Sequence, residues 1–186
     1  MPYPSQIDRE QIVSTARELL VAHGIEAVTL RRVAGVLGVK APSLYRYIKN
    51  KNELLVAINE ATSVALFAEL GVAAEGEGSL VERLVGVAEA YRRYAHAHPV
   101  CYALAMSSNP ELKPPQATQV GWVLPLQALF AELATEAESL AALRGAYAFL
   151  HGWVILEIGQ QLQRGGDLNA HFAQSFRAYL AGWERG

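Results

Sequence analysis

The chain has 186 residues, of which 52% are hydrophobic and 18% charged, with a net charge of −2. That length suits one ordinary domain or two small ones sharing a core, and the apolar share excludes a disordered chain. Cys101 is the only cysteine, which excludes an intrachain disulfide and a cysteine metal cluster; no metal or cofactor is expected.

The net charge conceals an asymmetry. Residues 1–51 carry eight Arg or Lys against four acids, a balance of +4, while the remainder carries eight against fourteen, a balance of −6. A basic head on an acidic body is the footprint of a module that binds a polyanion. No segment has about 18 consecutive apolar residues, so no membrane span is expected. The start, MPYPSQIDRE, lacks the basic and apolar stretches of a signal peptide, and the chain reads as cytoplasmic.

Nearly every segment has helical spacing and nothing alternates with period two for long, so the expected fold is all-α with about nine helices. Ile12, Ala16, Leu19 and Leu20 share one face of a first helix from Asp8 to His23, ended by Gly24. Thr29 caps a short second helix to Leu37, and Gly38 falls where a tight turn needs a left-handed residue. Pro42 sits in the first turn of a third helix, and Asn50 with Glu53 opens a fourth running to about Leu70. GVAAEGEG then reads as a loop. Ser79 with Glu82 is a capping box for a fifth helix to about Ala97. A short sixth helix runs from Pro99 through Ser107, and NPELKPP is a loop. The seventh helix spans about Gln116 to Thr135. The eighth, about Glu138 to Arg164, is apolar on almost every side and so needs cover on more than one. Asp167 caps the ninth, whose stripe is Phe172, Phe176, Leu180 and Trp183.

Within this order, residues 30–49 satisfy the packing demands of a helix-turn-helix. Val33, Ala34, Leu37, Val39, Leu44 and Tyr47 fill the positions where two helices meet, and Gly38 fills the turn. An ordinary helical hairpin meets some of these constraints, but rarely all while exposing a basic and aromatic face.

The order LGVKAPSLYRYIKNKNELL, following Gly24 and a Thr-Leu-Arg-Arg opening, resembles the DNA-binding domain of the tetracycline-repressor (TetR) family of transcriptional regulators. The likeness covers about Ile7 to Leu55 and is closest to the tetracycline repressors themselves in Lys49 to Lys51. It implies a DNA-binding domain over residues 1–50 and an effector-binding and dimerisation domain over 51–186. Thr29 can offer its hydroxyl and nearby amides to a phosphate, or serve simply as a cap. The resemblance puts Arg31 within reach of a base, where a guanidinium pairs with guanine O6 and N7, and Arg32 nearer the backbone. It sends Lys40, Ala41, Pro42 and Ser43 into the major groove, and Tyr45, Tyr47 and Lys51 to phosphates. Ala41 and Pro42 have no side-chain donor, so their readout is limited to apolar contact with thymine methyls. Arg46 departs from the family pattern, in which its position is often aromatic or histidine.

The resemblance further implies a homodimer on a double-stranded, palindromic operator, with the last two helices of each subunit forming a four-helix bundle. Ala141, Gly145, Ala148 and Gly152 make a small-residue stripe on the eighth helix that lets another helix approach, and Phe172 and Phe176 stand on the ninth. The same residues suit an internal core. HGWVILEIG, from His151 to Gly159, resembles the regulator subgroup whose C-terminal domain is named for Trp, His and Gly. Glu157, in the same stretch, can meet a cationic ligand, a partner's arginine or solvent. The implied effector pocket would draw on Phe67, Tyr91, Tyr102, Met106, Trp122, Leu126, His151 and Trp153, suiting a hydrophobic small molecule whose binding swings the fourth helix. Each of these side chains also suits a plain core.

Catalysis is not expected: GxSxG and HExxH are absent, and His96 and His98, two apart on a helix, point in different directions. The competing reading is a helical bundle that binds small molecules without regulating DNA.

Overall fold

The computed structural model describes residues 7–184, so the reading of the first six residues lies outside the described part. Among the described residues there are eight α-helices and no strand: α1 (Arg9–His23), α2 (Leu30–Val36), α3 (Lys51–Ala74), α4 (Leu80–Ala97), α5 (Pro99–Ala105), α6 (Gln116–Leu133), α7 (Glu136–Ile158) and α8 (Leu168–Ala181). Three 3-10 turns, Ile25–Ala27, Ala41–Ser43 and Pro110–Leu112, complete the order.

The all-α class stands, and the helix count falls by one. The segment expected as a third helix closes with i→i+3 bonds, Ser43 N–H to Lys40 O at 2.9 Å and Leu44 N–H to Ala41 O at 3.0 Å, and forms no α-helix. α3 runs on to Ala74, through the first half of the segment read as a loop. α7 starts earlier, because Thr135 is its cap, accepting from Glu138 N–H. It also stops six residues sooner: Gln160 takes φ +53°, and Gln161 N–H bonds Leu156 O at 2.8 Å while Gln160 N–H bonds Glu157 O, which closes the helix end. The Ser79–Glu82 capping box forms as expected.

The chain folds as two compact units. One comprises the residues up to Val64 with Val100–Gln116, the other Ala65–Pro99 with the residues from Ala117 on. In the first, Ile12, Ala16 and Leu20 of α1 pack with Val33 and Ala34 of α2, Leu44, Ile48, and Leu54 and Ile58 of α3. Cys101, Leu104 and Leu112 belong to that same core, so this unit reaches beyond the expected boundary after residue 50. The buried Asn59 amide ties α3 to this segment, donating to Leu112 O at 2.7 Å.

In the second unit α4 packs against both α7 and α8. α4 buries Leu84, Val85, Ala88, Tyr91 and Ala95 along one face, and α8 buries Phe172, Phe176 and Leu180. By length and hydropathy alone α3 and α7 could each cross a bilayer, a test that the core helix of a bundle also passes. The cover predicted for α7 is absent from most of its circumference. Only Ser139, Ala142, Ala146, Leu150 and Val154 are buried, a single stripe, while Leu140, Tyr147, Ile155 and Leu156 stand exposed.

Candidate nucleic-acid interface and the helical body

α2 begins at Thr29, whose Oγ1 accepts from Arg32 N–H at 3.2 Å, so the cap forms and its hydroxyl proton stays available. The helix ends in a two-bond closure: Val39 N–H reaches Ala34 O at 2.9 Å and Gly38 N–H reaches Gly35 O at 3.3 Å. Gly38 takes φ +69°, which a side chain would strain, and thereby turns the chain into the Ala41–Ser43 segment. Leu44 and Ile48 anchor that segment in the core, leaving Lys40, Pro42, Ser43, Tyr45 and Arg46 exposed and Ala41 half-buried. Arg31 and Arg32 are exposed on α2. Asn50 and Glu53 open α3: Glu53 N–H bonds the Asn50 side chain at 2.8 Å, and the Glu53 carboxylate accepts Lys49 N–H at 2.8 Å. This fixes Lys51 at the helix start, its Nζ 3.4 Å from the Glu26 carboxylate. An exposed pair of this kind is worth roughly 1 kcal/mol or less, weak enough for a phosphate to displace. Glu26 carried no signal in the sequence, because its pairing spans 25 residues.

Tyr47 takes the packing position that the helix-turn-helix spacing gave it. Its hydroxyl donates to Ile7 O at 2.5 Å and its ring is half-buried against the first core, so the phenol proton is already committed rather than free for a phosphate. Tyr45, by contrast, is 53% exposed.

The eight candidate pocket residues are divided between the two units. Tyr102, fully buried, and Met106 belong to the first unit; the other six belong to the second. There Phe67 stacks on Trp122 at 5.8 Å between centroids, Leu126 is half-buried on α6, Tyr91 meets Tyr147 edge-on at 6.4 Å, and His151 stacks on Tyr147 at 6.0 Å. Trp153 packs on Phe149 and on Phe172, at 5.6 and 5.5 Å. A cleft of about 490 Å³ on this unit is lined by Glu89, Arg92, Arg93, His96, Asn169 and Phe172, none of them among those eight.

The wall of that cleft includes a partly buried charge cluster. The Arg92 Nε and Nη2 donate to the two Glu157 oxygens at 2.7 and 2.6 Å, a bidentate pair, and Nη1 donates to Asn169 Oδ1 at 2.9 Å. The guanidinium lies 5.0 Å from the Phe172 ring centroid, and His96 Nε2 is 3.0 Å from Glu157. Glu157 therefore meets an arginine of its own chain. Burial pushes its pKa up, but the hydrogen bonds from Arg92 and His96 favour the charged form more, and the net shift is downward. The sequence held half the signal: Arg92 and His96 are four apart on α4, and a lone acid in an apolar helix needs a partner.

The candidate dimer residues separate as well. Phe172 and Phe176 are buried inside the protomer's own aromatic cluster with Phe149 and Tyr179. Gly145 is a packing glycine: a Cβ there would collide with the Tyr179 hydroxyl, which donates to Ala142 O. Ala141, Ala148 and Gly152 are exposed, and Gly152 has nothing within 4 Å of where a Cβ would stand.

Comparison with known proteins agrees with this architecture. Residues 12–58 match the family of bacterial regulatory proteins of the tetR family, and residues 84–179 match the tetracyclin repressor-like C-terminal domain. An HTH-type transcriptional regulator of Mycobacterium tuberculosis, Rv0681, is 30% identical over 98% of this chain and 84% of its own. The class C tetracycline repressor of Escherichia coli is 47% identical, over 31% of this chain and 26% of its own. Among solved structures, a Rhodococcus sp. RHA1 protein superposes with a TM-score of 0.81 at 20% identity, covering all of both chains. TetR-Q116A of Acinetobacter baumannii AYE, in complex with minocycline, does so with 0.69 at 22%, covering 95% of this chain and 96% of its own. The chain belongs to the tetracycline-repressor (TetR) family of transcriptional regulators, DNA-binding proteins that are not enzymes.

Proposed function

We propose that this regulator is a cytoplasmic repressor that binds a palindromic operator as a homodimer and releases it when a hydrophobic small molecule binds. The observation that carries the DNA half is the exposed basic face of the first unit: Arg31, Arg32, Lys40 and Arg46 surround a turn anchored by Leu44 and Ile48. A single head of this size grips few phosphates, and doubling it across a two-fold axis matches successive grooves. The uncovered apolar side of α7 supports the dimer, since Leu140, Ile155 and Leu156 flank the exposed Ala141, Ala148 and Gly152. The half-buried aromatic side chains Phe67, Trp122, His151 and Trp153 support an apolar effector. A ligand preferring one setting of α3 would shift the equilibrium between bound and released states.

The direct test is a mobility-shift titration on the DNA upstream of the gene, run across salt concentrations; the absence of a specific complex at low salt would remove the reading. Effectors are found by thermal shift over a panel of hydrophobic compounds, followed by release of the complex. Lys51→Ala is expected to weaken binding to every DNA sequence alike and to flatten the salt slope by about 1. Arg31→Ala is expected instead to relax base preference at one position of each half-site, costing about 1–3 kcal/mol on the preferred operator. Competition between operator and scrambled DNA separates these outcomes.

A further inference from the structure

We propose that Tyr47 is a positioning residue for DNA recognition: a fixed stacking platform that holds the Arg46 guanidinium, so that Arg46 reads a base edge in each half-site. This rests on the DNA-interface reading above and adds to it how one side chain of that interface is held.

Three observations meet at this pair. The Arg46 guanidinium carbon lies 4.6 Å from the Tyr47 ring centroid, within stacking range. The ring itself is anchored: its hydroxyl is tied to Ile7 O at 2.5 Å, forty residues away in sequence, and it packs against the first core. Arg46 is exposed and forms no ion pair among the described residues, so its N–H groups are unspent.

The backbone around the pair is a turn rather than a regular α-helix. On a regular helix, residues i and i+1 do not face each other. Here the chain leaves the Ala41–Ser43 turn through a bifurcated closure, Tyr47 N–H to Leu44 O at 2.9 Å and Ile48 N–H to the same carbonyl at 3.0 Å. A guanidinium lying on a ring uses only its flat face. Its donors point outward in the plane of the fork, the geometry that matches guanine O6 and N7 two at a time. A lysine in the same place can neither lie flat nor donate two parallel bonds. Since Ala41 and Pro42 have no side-chain donors, the orientation of Arg46 carries a large part of the direct readout.

The test is selection of binding sites from randomised duplex DNA with the full chain, for the wild type, Arg46→Ala, Tyr47→Leu and Tyr47→Phe. Arg46→Ala is expected to lose preference at one base pair per half-site, and Tyr47→Leu to lose it at that same base pair. Tyr47→Phe keeps the ring and is expected to retain the preference while melting lower, because the Ile7 bond is gone. In the free protein, the Arg46 side-chain NMR signals should be displaced by the ring current, and the displacement should survive in Tyr47→Phe and vanish in Tyr47→Leu. Should Tyr47→Leu fail to fold by circular dichroism, Arg46→Lys decides: loss of the base preference with unchanged affinity for random DNA supports the platform, and an unchanged preference overturns it. A wild-type consensus preserved in Tyr47→Leu overturns the platform alone. Uniform weakening in Arg46→Ala, with no position altered, makes Arg46 a phosphate contact and also overturns it. A wild-type pool without any consensus removes the operator reading and this inference together.

Discussion

Arg92→Met is expected to destabilise the second unit by about 3–5 kcal/mol, the largest effect of any single substitution considered for this chain. The cost comes less from the lost attraction than from what remains. The Glu157 side chain is only 4% exposed, and without Arg92 its carboxylate keeps His96 alone as a hydrogen-bonding partner. Asn169 Oδ1 loses its donor at the same time, which loosens α4 from α8 as well as from α7. The double variant Arg92→Met/Glu157→Leu removes both charges and should recover most of the loss, because a buried ion pair replaced by apolar groups of similar size is often close to neutral. Urea denaturation of wild type, both single variants and the double variant measures the coupling; a double variant as unstable as Arg92→Met would place the effect in packing over Phe172 instead. The pair also sets a pH dependence. Glu157 titrates below its usual 4.5 in the folded chain, so its contribution is complete above that value and is lost as pH falls through the folded pKa. Stability of the wild type should therefore drop more steeply below about pH 4.5 than that of the double variant.

Gly152→Leu and Gly145→Leu are expected to fail in different ways, although the two glycines share one sequence stripe. At 152 the added side chain meets nothing of its own chain, and leucine is the better helix former by roughly 0.5–1 kcal/mol, so the protomer should be as stable or more so. If α7 packs against a second copy, that leucine stands where the helices approach, and sedimentation should show monomer. At 145 a Cβ collides with the Tyr179 hydroxyl. Expelling that ring costs about 1–3 kcal/mol for overpacking and about 1 kcal/mol for the lost bond to Ala142, and the melting temperature should fall. An unchanged sedimentation coefficient for Gly152→Leu would move the dimer away from this face of α7.

These contrasts show which properties are local. Capping at Thr29, Asn50, Ser79 and Asp167, and the turn at Gly38, depend on residues three or four apart, and each forms where the sequence puts it. The family likeness of the first unit is of the same kind, a contiguous order of residues. The extent of the first core was not legible, because Cys101, Leu104 and Leu112 enter it from fifty residues downstream of the helix-turn-helix. Neither was the Tyr47 tether, since its acceptor is a backbone carbonyl forty residues away, and carbonyls carry no sequence signature. The Ala41–Ser43 segment departs from the expected helix because proline is equally at home opening an α-helix or a 3-10 turn.

By itself, then, the sequence determined the helical class, the caps, the basic head and the family, since these follow from neighbour spacing and composition. The tertiary structure decided which members of an ambiguous apolar set are spent inside the protomer. Phe172, Phe176 and Gly145 are consumed by the packing of α7 on α8, while Ala141, Ala148 and Gly152 remain open. It also gave the acid in the apolar helix its partner, Arg92. The physical reason is that hydrophobic spacing specifies that a face must be covered, whereas the covering partner is selected by long-range geometry that no local pattern encodes.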